Sequence, residues 1–229
     1  MSAPRPAVAT FKDLRLDAVD VAREARFWAD VLGLAVSRRE AQVWLTGPTP
    51  EHTLWINAVA EAHTVKNRVH LDVHAPNVAW AEGLGATVVE HQGGWTVMAD
   101  PEGNEFCLFG RDQPPDYRLY EIVVDCVDPT ALGQWWAGVL GARLNDAEDD
   151  SWSWVDEIPG APFECLVFVP VPEGKTVKNR VYWDVTVAGV DDLIDAGAVL
   201  VRAQDDEIGW TVLADPEGNE FCAFTLAAR

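Results

Sequence analysis

Six tryptophans and four aspartates carry the clearest chemistry in this chain: Trp44, Trp55, Trp95, Trp152, Trp154 and Trp210, with Asp17, Asp72, Asp125 and Asp184. An indole ring offers a large apolar face with little entropy to lose, and that face attracts cations. Each aspartate stands on the polar phase of an alternating stretch, where strand periodicity turns it to the same side as its polar neighbours. Rings and carboxylates on one surface describe a pocket for a cationic, partly aromatic organic molecule. The histidines add a second possibility. All five (His52, His63, His70, His74 and His91) fall in the first half of the chain, so an imidazole-based metal site belongs there if it exists in either half.

The elements that must position these groups come in a repeating order. Residues 11–19 alternate as a half-buried strand, with Leu14, Leu16 and Ala18 set against Asp13, Arg15 and Asp17. Asp20 then caps a helix whose apolar side is Ala25, Trp28, Ala29 and Leu32, and Gly33 stops it. Strands follow at residues 35–39, 42–46 and 53–59. The same order begins again at residues 68–75, with a short helix over 78–84 and a hairpin over 95–109. After the proline-broken stretch 110–116 it restarts at 120–127, where Asp128 and Pro129 open a helix, and again at 180–187. Residues 95–109 and 210–224 match at thirteen of fifteen positions, and TVKNRV occurs at both 64–69 and 176–181. In each hairpin Asp, Pro and Gly occupy the first, second and fourth positions of a type I turn. The chain is two copies of one unit, which predicts two domains, residues 1–110 and 111–229, each an α+β assembly of two βαβββ modules. Arg68 with Glu105, and Arg180 with Glu220, recur together and predict a structural ion pair between neighbouring strands.

Composition narrows the partners. With 37 acidic against 17 basic residues the formal charge is −20, which repels nucleic-acid phosphates and anionic lipid heads. No stretch approaches the roughly 20 apolar residues of a membrane helix, and the opening residues lack the apolar core of a secretory signal, so the expected location is cytoplasmic. Four cysteines are too few for a disulfide framework. A small-molecule ligand or substrate is the expected partner, bound by a monomeric pseudo-dimer or a homodimer.

Four consecutive strand–helix–three-strand modules, closed in pairs by DPEGNEF hairpins, resemble the vicinal oxygen chelate superfamily of glyoxalases, bleomycin-resistance proteins and extradiol dioxygenases. Together with LDxxDxxxxxxFW at 16–28 and NRVHLDV at 67–73, the hairpin is most similar to the glyoxalase-like domains of that superfamily. The resemblance implies that two modules form a cup with ligands on the first and last strands of each. It places metal ligands at Asp13, His70 and Cys107, with Asn57 the remaining oxygen donor, and implies one divalent metal ion in the first half. The equivalent positions in the second half are Glu121, Tyr182 and Cys222. Three readings follow. A bleomycin-resistance-like protein would bind an aromatic or cationic compound in a tryptophan-lined acidic pocket. A metal-dependent lyase, isomerase or dioxygenase would use the first-half ion. A metal-free enzyme would use Glu121 and Tyr182 as an acid/base pair. Against the second stands the plainer role of Cys107 as a small buried apolar residue.

Overall fold

The computed structural model describes residues 7–149 and 151–226. Module one comprises β1 (Ala9–Ala18), α1 (Val21–Leu32), β2 (Ala35–Arg39), β3 (Gln42–Thr46) and β4 (Leu54–Ala58). Module two comprises β5 (Val69–Ala75), α2 (Val78–Leu84), β6 (Thr87–His91), β7 (Thr96–Ala99) and β8 (Glu105–Gly110). Module three comprises β9 (Leu119–Cys126), α3 (Pro129–Leu140), β10 (Arg143–Asp146), β11 (Ser153–Asp156) and β12 (Cys165–Pro170). Module four comprises β13 (Val181–Val187), α4 (Val190–Asp195), β14 (Val199–Arg202), β15 (Thr211–Ala214) and β16 (Glu220–Thr225). The α+β reading holds, and no helix among the described residues is long and apolar enough to cross a membrane.

The modules combine across the repeats. One eight-stranded sheet has the order β14-β15-β16-β13-β1-β4-β3-β2 and joins modules one and four; the other, β10-β11-β12-β9-β5-β8-β7-β6, joins modules two and three. Within every module the first strand lies parallel to the last. Between modules the join is antiparallel, β1 against β13 and β5 against β9. The boundary expected at 110/111 therefore separates the two sequence repeats but not the two sheets. Its polar stretch connects strands of one sheet and is held down, because Arg118 donates through its backbone to Leu32 O and through Nη1 to Asp30 O. Gly33, at φ +74°, ends α1 beneath it, where a Cβ would lie 1.9 Å from Asp116 O.

The helices tie each repeat together while the sheets tie the repeats to one another. Alternation sends Leu14, Leu16, Val69, Leu71, Ile122, Val124, Val181 and Trp183 into one continuous apolar core with the buried sides of α1 and α3. Trp28 on α1 packs edge-on against Phe106 on β8, with ring centroids 5.4 Å apart, and Trp136 on α3 does the same to Phe221 on β16 at 5.1 Å.

The repeated hairpin turn completes this tie. Asp100 Oδ1 accepts from the backbone of Glu102 and Asn104, and its Oδ2 accepts from Trp28 Nε1 at 3.2 Å. Asp215 binds Glu217, Asn219 and Trp136 Nε1 in the same way. Gly103 and Gly218 sit at φ +92° and +87°, the left-handed exit that the turn requires. Glu102 then accepts the backbone N–H groups of Val19 and Asp20 at the entry to α1, as Glu217 accepts those of Val127 and Asp128 at α3. The expected Arg180–Glu220 and Arg68–Glu105 pairs do not form. Glu105 and Glu220 accept the backbone N–H of Asn67 and Asn179 instead. Arg180 reaches Glu102 and Asn104 of the other repeat, while Arg68 donates to Glu173 O.

One helix position breaks the symmetry of this layer. Glu24 on α1 is fully buried where α3 carries Leu132, each one turn before the matching tryptophan. Neither carboxyl oxygen meets a donor among the described residues. Burial, reinforced by the neighbouring Asp100 carboxylate, pushes the Glu24 pKa up to about 9 from an unfolded value of 4.5. The folded state thus holds a proton that the unfolded chain releases, so this group's contribution to stability is complete below about pH 4.5 and is lost as pH rises toward about 9. Glu24→Leu is expected to raise stability near pH 8 by about 1–3 kcal/mol and to flatten the decline of stability with pH, as read by urea denaturation across that range. A variant less stable than the parent near pH 8 would contradict this assignment.

Candidate functional site

Each sheet turns its polar phase outward, away from the shared core, and the strand registers make the two polar faces equivalent residue by residue. In the first sheet Asp13 faces Asp184, Arg15 faces Tyr182, and Asp184 pairs with Cys222. In the second sheet Glu121 faces Asp72, Val123 faces His70, and Asp72 pairs with Cys107. The two cups therefore match Asp13 with Glu121, Arg15 with Val123, Asp17 with Asp125, Tyr182 with His70, and Asp184 with Asp72.

The first cup satisfies its own charges. Arg15 Nε lies 2.7 Å from both oxygens of the fully buried Asp184. Asp13 accepts from Lys12 Nζ at 2.5 Å and from Trp55 Nε1 at 3.2 Å. Asp17 accepts from Lys178 Nζ at 2.6 Å and from the Tyr182 hydroxyl at 3.1 Å, and Asn57 donates to that hydroxyl at 3.1 Å. Ring faces complete the enclosure, with the Arg15 guanidinium carbon 4.7 Å from the Trp210 centroid and 6.0 Å from that of Trp55. Trp44 leans against Trp55, centroids 5.1 Å apart.

The second cup leaves the same positions unsatisfied. Val123 offers Asp72 no charge. His70 Nε2 lies 3.4 Å from Asp72 Oδ1, yet His70 Nδ1 and Asp72 Oδ1 are both buried without a hydrogen-bond partner. The donor atoms of His70, Asp72 and Cys107 all lie within 4.8 Å of one another. Burial lowers His70 to about 4 and leaves a neutral imidazole. Burial, with Glu121 opposite, pushes Asp72 well above the carboxylate range, and burial beside Asp72 pushes the Cys107 thiol up. Glu121 is also raised by burial and accepts from Cys165 Sγ at 3.2 Å, while Asp125 is capped by Lys66. An imidazole nitrogen, a carboxylate oxygen and a thiol sulfur in this arrangement form a donor set for a borderline divalent ion such as zinc. Around them runs an aromatic rim: His74 stacks on Tyr120 at 4.3 Å, Trp95 on Phe109 at 5.8 Å, and Trp152 on Trp154 at 4.8 Å.

The expected site residues are thus divided between two cups. Asp13 is in the first cup, engaged by Lys12 and Trp55, and cannot join His70 and Cys107, because β1 and β5 belong to different sheets; Asp72 stands with them instead. Tyr182 and Glu121 are separated for the same reason, and Tyr182 hydrogen-bonds to Asp17. Asp17, Asp184, Trp44, Trp55 and Trp210 belong to the first cup, and Asp72, Asp125, Trp95, Trp152 and Trp154 to the second. Sequence reasoning passed over Arg15. The signal was present, since the repeats align Asp184 with Asp72 but Arg15 with Val123, leaving one of two equivalent carboxylates without its cation.

Arg15→Met is expected to lower stability at neutral pH by about 3–5 kcal/mol, because Asp184 loses the cation bonded to both its oxygens in a dry site and keeps only Lys12 Nζ at 3.9 Å among the described residues. Adding Asp184→Asn should recover most of that loss in chemical denaturation. A single-variant loss below about 1 kcal/mol would show that the pair is not what holds this face together.

Glyoxalase I from Zea mays superposes with a TM-score of 0.68 at 15% identity, covering 94% of this chain and 92% of that one. A proposed dioxygenase from Bacillus subtilis superposes with a TM-score of 0.63 at 13% identity, covering 98% and 87%. No curated protein matches at the level of sequence. The model of the glyoxalase-like domain matches twice, over residues 13–109 and 121–224, and with both repeats so covered the chain belongs to the glyoxalase-like domain family.

Proposed function

We propose that the second cup is the working site of this protein, a small-molecule pocket organised on one divalent cation held by His70, Asp72 and Cys107. The supporting observation is the contrast between equivalent carboxylates: Asp184 is paired with Arg15, whereas Val123 stands at the position equivalent to Arg15 and no lysine or arginine among the described residues pairs with Asp72. A buried carboxylate without a partner is costly unless it is protonated or binds a cation. When bound, a divalent ion would act there as a Lewis acid that orients and polarises adjacent oxygens of a substrate, as lyase, isomerase or dioxygenase chemistry requires. The chain's own contribution is the enclosure. Trp95, Phe109, Tyr120, Trp152 and Trp154 offer ring faces to a flat molecule, and Glu121 stands opposite Asp72 as a carboxyl group able to hold or release a proton.

A second reading rests on the same rim. Stacked rings above Glu121 and Asp125 suit an aromatic or cationic compound that is sequestered without being transformed. In either case one chain supplies both modules of each cup, so a monomer is sufficient. Four buried, free thiols suit a reducing compartment such as the cytoplasm.

Elemental analysis after loading with zinc and desalting should find one equivalent of metal in the parent protein and none in His70→Ala. Val123→Arg should also abolish it, by recreating beside Asp72 the ion pair of the first cup, with melting temperature maintained or raised. Metal retained by His70→Ala would refute the site.

A further inference from the structure

The first cup has no place for a metal, because the Arg15 guanidinium already faces the carboxylate that would hold it. That guanidinium is only half used. Nε alone serves Asp184, while Nη1 and Nη2 carry no hydrogen bond among the described residues and the side chain keeps 9% of its surface exposed. The planar fork of an arginine matches the two oxygens of a carboxylate. The rings of Trp210, Phe224 and Trp55 stand 4.7–6.0 Å from its central carbon, and Lys12 Nζ lies 4.3 Å from the Phe224 centroid. Beside the guanidinium, sharing the Trp55 wall, opens a cavity of about 320 Å³ bounded by Lys12, Asp13, Trp44, Glu51, Trp55 and Thr186. That is within the ~300–1,000 Å³ of small-molecule sites.

We propose that the first cup binds an aromatic carboxylate, its carboxylate held by the free edge of Arg15 and its ring set against the tryptophan wall.

The charges of the cup favour an anion over a cation. Arg15, Lys12 and Lys178 pair with Asp184, Asp13 and Asp17, so each carboxylate of the cup already has its cation. Asp13 and Asp184 stand directly opposite each other, and Asp13 Oδ1 is buried without a donor unless Asp184 supplies one. The outer edge of Arg15 is the charged group left unpaired in the cup. An organic cation meets the opposite situation, with Arg15 and Lys12 already over the ring faces and each carboxylate paired. The site is independent of the metal proposed for the second cup, and its chemistry is reversed.

Titration of the protein with 1-naphthoate, followed by tryptophan fluorescence and calorimetry, tests it, with 1-naphthylmethylamine as the cationic control. Saturable binding of one equivalent of naphthoate is expected, unaffected by the amine and unchanged in His70→Ala. Arg15→Lys keeps a cation beside Asp184 but removes the fork, and should weaken binding at least tenfold with the melting temperature little changed. In the unmodified protein, the Arg15 side-chain N–H resonances should shift on adding naphthoate, a readout that does not depend on any variant folding. Absence of binding, equal affinity in Arg15→Lys, no shift at Arg15, or loss in His70→Ala would each overturn the assignment.

Discussion

A carboxylate buried at the seam between two modules must find a positive charge, keep a proton, or stay out of the seam. The antiparallel join of first strands, β1 on β13 and β5 on β9, creates this constraint twice, since it sets Asp184 across from Asp13 and Asp72 across from Glu121. The first sheet answers with Arg15. The second places Val123 there, and buried atoms of Asp72 and His70 are left without a partner among the described residues. Much of what distinguishes the two faces follows from this one difference, including the hydrogen-bonded closure of one cup and the convergent donor atoms of the other.

Pairing modules across the repeats makes such divergence possible. Two identical subunits exchanging modules would build two identical cups, whereas a single chain that carries both copies can change one cup at a time. What stayed the same is instructive. The stretch most nearly identical between repeats, DPEGNEF, does no chemistry at either cup: its Asp caps its own turn and takes an indole N–H, its first Glu holds a helix entry, and its second Glu holds the backbone of the crossing loop. It secures the layer of helices on which both sheets rest. The positions that differ between repeats, Arg15 against Val123 and Tyr182 against His70, lie on the cup faces.

This division explains how much could be read in advance. Strand alternation around Leu14 and Leu16, the caps Asp20 and Asp128, and the repeated turn are local signals, and each gave its element correctly because short-range sterics and hydrogen bonding decide it. The family followed from the order of those elements. Which strand neighbours which is decided by contacts far apart in sequence, so Asp13 was grouped with His70 although their strands lie in different sheets, and Glu121 with Tyr182 likewise. Asp72 was seen as a binding carboxylate but not as a partner of His70 and Cys107, because only the β5–β8 register brings its side chain beside the thiol. The Arg15/Val123 difference was visible in the aligned repeats. It acquires meaning only once the strand pairing brings Asp184 and Asp72 onto the same faces as those positions.

The central claim is that one cup, and not the other, is a cation site with a sulfur ligand. Titration with cobalt(II) monitored by visible and near-ultraviolet absorption tests this directly, since a bound thiolate gives an intense sulfur-to-cobalt charge-transfer band that nitrogen and oxygen ligands do not. The account predicts a band that saturates at one equivalent and disappears in Cys107→Ser but persists in Cys222→Ser. Two equivalents with thiolate bands, or a single band that survives Cys107→Ser, would contradict it.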